Sequence, residues 1–232
     1  MSRTTGRGRG GTGKQRVKTA RRRSAASTRW LQRQLDDPYV KAAKADGYRS
    51  RAAYKLLELD ERFDLLKGVK GVVDLGVAPG GWTQVVRQKC PNARVVGIDL
   101  LPTDPIEGAT LLEMDFMDDS APAMLKDALG GPADLVISDM AANTIGHKQT
   151  DHLRTMGLVE AGLDFALEVL EPGGAFVAKV LAGGADKALV TQLNRNFDSV
   201  KHAKPPASRK GSSEWYVVAK GFRGRDREGD AD

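Results

Sequence analysis

The chemistry of this chain gathers in one turn and in the acids that follow it. Asp74-Leu75-Gly76-Val77-Ala78-Pro79-Gly80-Gly81-Trp82-Thr83 joins an apolar run to a helical pattern. A first strand-to-helix turn is where a doubly wound sheet binds its ligand, and glycine lets the backbone approach that ligand closely. A phosphate loop reads G-x-x-x-x-G-K-[ST]. Gly76 and Gly81 keep that spacing, but Trp82 stands where lysine would neutralise phosphate. A dinucleotide fingerprint reads G-x-G-x-x-G, and Ala78 occupies its second glycine. What remains is a nucleoside-bearing cofactor whose phosphates need no cradle. Asp99 ends the next apolar run 23 residues after Gly76, the place from which a carboxylate accepts hydrogen bonds from ribose hydroxyls. Asp115 ends the third run, where it can meet an adenine edge. Such acids, without a basic clamp, suit the cationic sulfonium of S-adenosylmethionine better than NAD or ATP. Taken singly, a strand-end Asp is more often a helix cap. Lys179 is harder to explain away: it lies on the apolar strand Ala175-Phe-Val-Ala-Lys-Val, and lysine is rarely buried without a partner. His147, His152 and His202 show no ligand spacing, so no metal is expected.

These residues need a scaffold. Short apolar runs alternate with helical patterns from residue 69 onward. Strands are expected at Val72–Leu75, Arg94–Ile98, Thr110–Met114, Asp134–Ser138 and Ala175–Val180, closing on Asp74-Leu75, Asp99, Asp115 and Asp139 in the first four. Helices are expected near Trp82–Cys90, Ala121–Leu129, Leu153–Leu170 and Ala185–Phe197. Asp37-Pro38 marks a break before a helix, and Ser50–Phe63 reads as an amphipathic helix beginning at Ser50. The last two runs, Val200-Lys201 and Trp215–Ala219, flank a Pro- and Ser-rich loop too short for a crossover helix, so they pair antiparallel. The expected fold is α/β: a Rossmann-like, mostly parallel sheet with helices on both faces and a final antiparallel hairpin.

Composition sets the limits. The chain has 232 residues, 41% of them hydrophobic, which fits one α/β domain with appendages. Its longest uncharged stretch, Leu75–Val86, is far shorter than the ~20 apolar residues of a membrane span. No apolar segment follows the basic N-terminus, so a secretory signal is not expected. The single cysteine, Cys90, agrees with a reducing cytoplasm. The net charge of +6 is unevenly divided: residues 1–30 hold ten Lys or Arg and no acid, leaving a net of −4 on residues 31–232. Residues 1–30 read as a disordered basic arm, 31–221 as the folded domain with a basic helical segment at 31–66, and 222–232 as a disordered tail. A polycation on a mildly acidic body points to a nucleic-acid partner.

Five motifs in order, Asp74–Thr83, Asp99-Leu-Leu-Pro-Thr-Asp, Ser138-Asp-Met-Ala, Phe176-Val-Ala-Lys-Val and Ser213-Glu-Trp-Tyr-Val-Val-Ala, resemble the FtsJ/RrmJ-type RNA 2′-O-methyltransferases over about Asp37–Gly221. The resemblance implies a Lys-Asp-Lys-Glu catalytic set at Lys55, Asp139, Lys179 and Glu214. It implies S-adenosylmethionine contacts at Gly80, Trp82, Asp99, Asp115 and Asp139. It makes 31–221 the catalytic domain and 31–66 its RNA-contacting segment. It further implies an enzyme acting on 23S ribosomal RNA, at a uridine of the A-loop; a cytoplasmic setting is expected from the cysteine count, and a monomer is expected. Rival readings are a transfer-RNA methyltransferase and a non-enzymatic ribosome-assembly protein. One departure is Ala141-Ala142-Asn143, where the family usually reads Ala-Pro-Asn; losing that proline should loosen the loop after Asp139.

The chemistry agrees with that implication. A ribose 2′-hydroxyl is a poor nucleophile at neutral pH and needs a positioned base. Free lysine, with a pKa of about 10.4, is mostly protonated. Two lysines sharing a site repel each other's charge, and neighbouring carboxylates oppose that effect. Lys179 is therefore expected to accept the proton, with Lys55 and Glu214 shaping its charge and Asp139 bridging cofactor and substrate. RNA contacts are expected from the arm, from Lys41–Lys55, and from Lys201, Lys204, Arg209 and Lys210. Deleting residues 1–28 should weaken RNA binding and flatten its dependence on salt; titrations at several salt concentrations check this, and an unchanged slope makes the arm a bystander.

Overall fold

The computed structural model describes residues 35–142, 147–181, 187–209 and 211–224, with isolated positions 24, 27, 28 and 32 before them. Most of the basic arm, Lys210, Asn143 and the last eight residues lie outside that set.

Helical positions occur before Asp37 among the described residues, and two bounded helices follow. Helix α1 spans Pro38–Ala45; Asp37 caps it, its carboxylate accepting from Tyr39 N–H, and Pro38 supplies the first turn, where a missing N–H costs nothing. Helix α2 spans Ala52–Phe63. The expected start at Ser50 is displaced because its hydroxyl makes no cap. It sits against Gly81, where a Cβ would come within 2.5 Å of Ser50 Oγ. The main chain of Ser50 still accepts from Ala53 N–H.

Among the described residues, seven strands and four further helices follow: β1 Gly71–Leu75, α3 Gly81–Lys89, β2 Arg94–Asp99, β3 Ala109–Glu113, α4 Ala121–Leu129, β4 Ala133–Ser138, α5 Lys148–Val169, β5 Leu170–Leu181, α6 Lys187–Asn196, β6 Phe197–Ala203 and β7 Glu214–Phe222. They form one sheet of order β3-β2-β1-β4-β5-β7-β6. The first five strands are parallel; β7 runs antiparallel to β5 on one side and β6 on the other. The expected alternation and final antiparallel pairing are therefore present. Differences lie at the ends of elements. Helix α5 begins five residues before Leu153, and β5 takes in Glu171–Gly174 before its apolar run. For the expected helix Ala185–Phe197, the described residues begin at Lys187, and Phe197 opens β6.

The sheet separates two cores. On one face Val73, Leu75, Val136, Phe176, Ala178 and Val217 pack against α4, α5 and α6. On the other, Val72, Leu135, Ile137, Val177, Tyr216 and Val218 pack against α2 and α3. Alternation with period two assigns every strand residue to a face. By that rule Asp74 and Lys179 share the α2/α3 face with Tyr216, and Asp139 continues the row of Leu135 and Ile137. Strand order reverses between β1 and β4, which places the ligand crevice at the carboxyl ends of those two strands. Among the described residues no helix is long and apolar enough to cross a membrane.

Packing of this density predicts a sharp contrast. Phe176, fully buried in the middle of the sheet, should cost about 3–5 kcal/mol when changed to Ala. Leu153→Ala, on an exposed side chain, should stay within about 0.5 kcal/mol in the same urea titrations.

Candidate active site

Register gathers the charged residues. Ser138 pairs with Ala178, so Asp139, the next residue, emerges beside Lys179. Lys179 in turn pairs with Tyr216, and Leu181 with Glu214. Helix α2, packed over this end of the sheet, contributes Lys55. The four candidates therefore meet. Lys179 Nζ lies 3.1 Å from Asp139 Oδ1 and 4.0 Å from Glu214 Oε1. Lys55 Nζ lies 3.6 Å from the same Asp139 oxygen and 3.4 Å from Glu214 Oε2. Lys179 also donates to the Asp139 main-chain carbonyl at 2.5 Å. Both lysines are 6% exposed, which only a balancing pair of carboxylates makes tolerable.

Tyr216 is a member that the sequence reading missed. Its hydroxyl donates to Asp139 Oδ1 at 2.5 Å, and its ring faces Lys55 Nζ at 5.6 Å. Period-two spacing from Glu214 was the available signal, but it acquires meaning only once β7 is known to pair with β5. Burial works against the charge of Asp139. The cations of Lys179 and Lys55 and the Tyr216 hydroxyl outweigh it and hold the carboxyl below its ordinary pKa. Burial, with Asp139 close by, drives the Tyr216 phenol well above its ordinary range, so it stays a donor.

The cofactor candidates line the same end of the sheet. Asp99 Oδ2 accepts from Ala78 N–H and Oδ1 from Leu101 N–H, each at 2.9 Å, tying the glycine turn to the loop after β2. Asp115 lies two residues beyond β3, exposed, and accepts from Met117 N–H. Gly80 caps α3 in the left-handed region (φ 108°), a conformation L side chains rarely adopt. Gly76 crosses Met140 so closely that a Cβ would meet it at 2.8 Å. Trp82 is different: its ring is 3% exposed, its Nε1–H donates to Ala52 carbonyl at 2.7 Å, and it packs beside Tyr216. What it can offer a ligand is main chain, while its ring fastens α3 to α2.

Asp74 was not singled out from the sequence. Fully buried in β1, it accepts from Thr83 Oγ1 at 2.7 Å through Oδ2, while Oδ1 finds no hydrogen-bond partner among the described residues. Burial above all raises its carboxyl to about 7, opposed by Thr83 and reinforced by Asp139 and Asp99.

Part of the expected RNA surface is engaged within the protein. Arg51 and Arg209 both reach Asp37, at 3.1 and 3.3 Å. Arg51 also donates to the Ala207 carbonyl, and Glu58 accepts from Ala207 N–H at 2.6 Å and Tyr39 O–H at 2.8 Å. These contacts fasten α1 and α2 to the loop that leads into Glu214. Lys41, Lys44 and Lys201 remain exposed. Among the described residues no group of three His, Cys, Asp or Glu could hold a metal ion.

Fold and site define a Rossmann-like domain with a carboxylate-lined crevice and a lysine–carboxylate cluster beside it. A family profile described as FtsJ-like methyltransferase matches residues 48–222. The chain belongs to that family. It is 71% identical over 223 residues to a Rhizorhabdus wittichii protein named ribosomal RNA large subunit methyltransferase E, covering 96% of this chain and 97% of that one. An Erythrobacter litoralis protein of the same name is 73% identical over 210 residues, covering 90% and 96%. Among solved structures, a Plasmodium falciparum protein named as a ribosomal RNA methyltransferase is 34% identical, with a TM-score of 0.68 over 77% of this chain and 100% of that one. A chain of the fibrillarin/Nop5p complex, 17% identical with a TM-score of 0.52 over 73% of this chain and 83% of that one, shares the fold alone.

The Asp74 carboxyl carries a pH signature. The folded protein keeps a proton there up to about pH 7, whereas an unfolded Asp releases it near pH ~3.9. Between those limits the native state binds more protons, so this group's contribution to stability falls as pH rises, by at most about 1.4 kcal/mol per unit. Asp74→Asn keeps the acceptor for Thr83 and removes the titration. Its urea stability relative to the parent should therefore improve from pH 5 to 7 and level off above; parallel curves would refute the assignment.

Proposed function

We propose that this chain transfers a methyl group from S-adenosylmethionine to a ribose 2′-hydroxyl of large-subunit ribosomal RNA. Its finer target is a uridine in the 23S A-loop, and it acts as a cytoplasmic monomer. The observation that carries the reaction is the cluster of Lys55, Asp139, Lys179, Glu214 and Tyr216 beside the β1/β4 switch point. The RNA class is supported by relatives 61–73% identical and named ribosomal RNA large subunit methyltransferase E. The uridine rests on the motif resemblance.

The crevice suits the cofactor. Asp74 presents a buried oxygen without a partner, and Asp99, Asp115 and Asp139 add acceptors and negative charge at the strand ends. That donor set fits a ribose, an ammonium and a sulfonium better than a phosphate. When bound, S-adenosylmethionine supplies a methyl group on positively charged sulfur, and that charge is lost as the methyl leaves. Gly80, Asp99, Asp115 and Asp139 would hold it, with the Trp82 main chain beside them.

The protein's own part is to orient the hydroxyl and take its proton. Asp139, held as a carboxylate by Lys179, Lys55 and Tyr216, faces both halves of the site. In the reacting complex Lys179 Nζ, having released its own proton to solvent, accepts the 2′-hydroxyl proton as oxygen bonds to the methyl carbon and the methyl–sulfur bond breaks. Asp139 and Glu214 then stabilise the ammonium so formed, and Lys55 tunes their charge. Such a positioned base contributes about 10²–10⁴ in rate, and in-line alignment adds the rest of the advantage.

Lys179→Ala should lower turnover about 10²–10⁴-fold while leaving S-adenosylmethionine binding by calorimetry intact. Nucleotide-resolution mapping of the methyl should place it in large-subunit RNA. Label confined to transfer RNA would overturn the substrate, and unchanged turnover in the variant would overturn the catalytic assignment.

A further inference from the structure

The turn between α1 and α2 carries two arginines that point to different parts of the fold. Arg51 turns toward Asp37 and Ala207, as described above. Arg49 turns the other way. Its Nη1 donates to the main-chain carbonyls of Pro79, at 3.2 Å, and Asp104, at 2.6 Å; its Nη2 donates to that of Pro105 at 2.8 Å. The Arg49 main-chain N–H donates to Gln84 Oε1 at 2.8 Å, and Gln84 Nε2 returns a bond to the Gly47 carbonyl at 3.0 Å. One guanidinium therefore joins the glycine turn before α3 to the loop after β2. The fit at the junction is tight: a Cβ at Gly80 would meet Ile106 Cδ1 at 2.6 Å and Arg49 Nη1 at 3.1 Å.

Those two loops carry the candidate contacts Gly80 and Asp99, and Asp99 already bonds to both of them, through Ala78 N–H and Leu101 N–H. Arg49 adds a second tie farther out. Its planar fork satisfies carbonyls from segments 25 residues apart in the chain, a geometry that the single ammonium of lysine cannot reproduce. The sequence places Arg49 in the basic segment expected to touch RNA. Yet three of the five guanidinium N–H donors of this exposed side chain are committed to protein carbonyls, which leaves a phosphate only the remaining two.

We propose that Arg49 is a positioning residue for the cofactor, setting the separation of the two loops that hold S-adenosylmethionine, and is not a phosphate contact. The inference rests on the S-adenosylmethionine reading above and deepens it. Arg49 acts through the loops and touches no reacting atom, so its loss should change cofactor affinity with little change in the chemical step.

The test compares the full-length protein with Arg49→Lys and Arg49→Gln, using S-adenosylmethionine as the calorimetric probe and a large-subunit RNA fragment for binding. Arg49→Lys keeps the charge and loses the fork. It should weaken S-adenosylmethionine binding about tenfold and raise its KM by a similar factor, leaving kcat within about twofold and RNA affinity and salt slope unchanged. Arg49→Gln should match it in cofactor affinity. Retained cofactor affinity with weaker RNA binding in Arg49→Gln, and a salt slope lower by about one, would make Arg49 a phosphate contact and overturn the proposal. A fall in thermal stability with KM unmoved would make it merely structural and overturn it equally. If the parent protein itself failed to bind S-adenosylmethionine, the underlying reading would fall, a result distinct from equal binding by parent and variant.

Discussion

Two ammonium groups buried within 4 Å of one carboxylate oxygen are the constraint around which this protein is organised. A buried cation without a partner is strongly destabilising, so Lys55 and Lys179 require Asp139 and Glu214 to stay where they are. The same attraction, with the Tyr216 hydroxyl, keeps Asp139 ionised despite its surroundings. Under the proposed function, charge balance and catalysis share one arrangement: the residues that make the lysines tolerable also orient the acid that would stand between cofactor and acceptor. Hydrophobic packing supplies the rigidity, since Leu56, Trp82, Val177 and Val218 fill the space behind the cluster.

Position along the sheet separates the two halves of the site. Near the carboxyl ends of β1, β2 and β4 lie Asp74, Asp99 and Asp139, a set suited to the proposed cationic cofactor. The last two bring acceptors and negative charge, and Asp74, protonated up to about pH 7, brings an oxygen without a hydrogen-bond partner among the described residues. The β5–β7 side presents Lys179 and Glu214, and α2 adds Lys55 above them, a set suited to a hydroxyl that would lose a proton. Asp139 lies at the boundary, beside the point where strand order reverses. An acceptor approaching from the β7 side would therefore meet the lysines before the cofactor acids.

The N-terminal helices bind these halves together through ion pairs and main-chain contacts. Asp37, Arg51 and Glu58 fasten α1 and α2 to the loop before Glu214, while Arg49 reaches the cofactor loops. Basic residues in such a segment are naturally read as a phosphate-binding surface, and the structure divides them. Lys41 and Lys44 stay exposed; Arg49, also exposed, bonds to three main-chain carbonyls, and half-buried Arg51 pairs with Asp37. Chemistry sets these roles: a guanidinium fork can satisfy several carbonyls at once, whereas a strongly hydrated lysine ammonium goes inside only where carboxylates meet it, as Lys55 does.

Much of the fold was legible in the sequence because period and punctuation are local. Apolar runs ending in Asp marked four strands, and the short Pro- and Ser-rich loop required an antiparallel end. Element ends were less legible, as at Ser50, whose hydroxyl packs against Gly81. Motif resemblance brought forward Lys55, Asp139, Lys179 and Glu214 as a set, but spacing alone could not show that they touch. Only tertiary structure decided that β7 inserts between β5 and β6, which carries Glu214 and Tyr216 to Lys179. Only it buried Asp74 with an orphan oxygen and turned the Trp82 ring into the core. The reason is physical: periodicity records which face a residue takes, whereas contact, burial and charge state depend on strand order and register, which arise from pairings between residues distant along the chain.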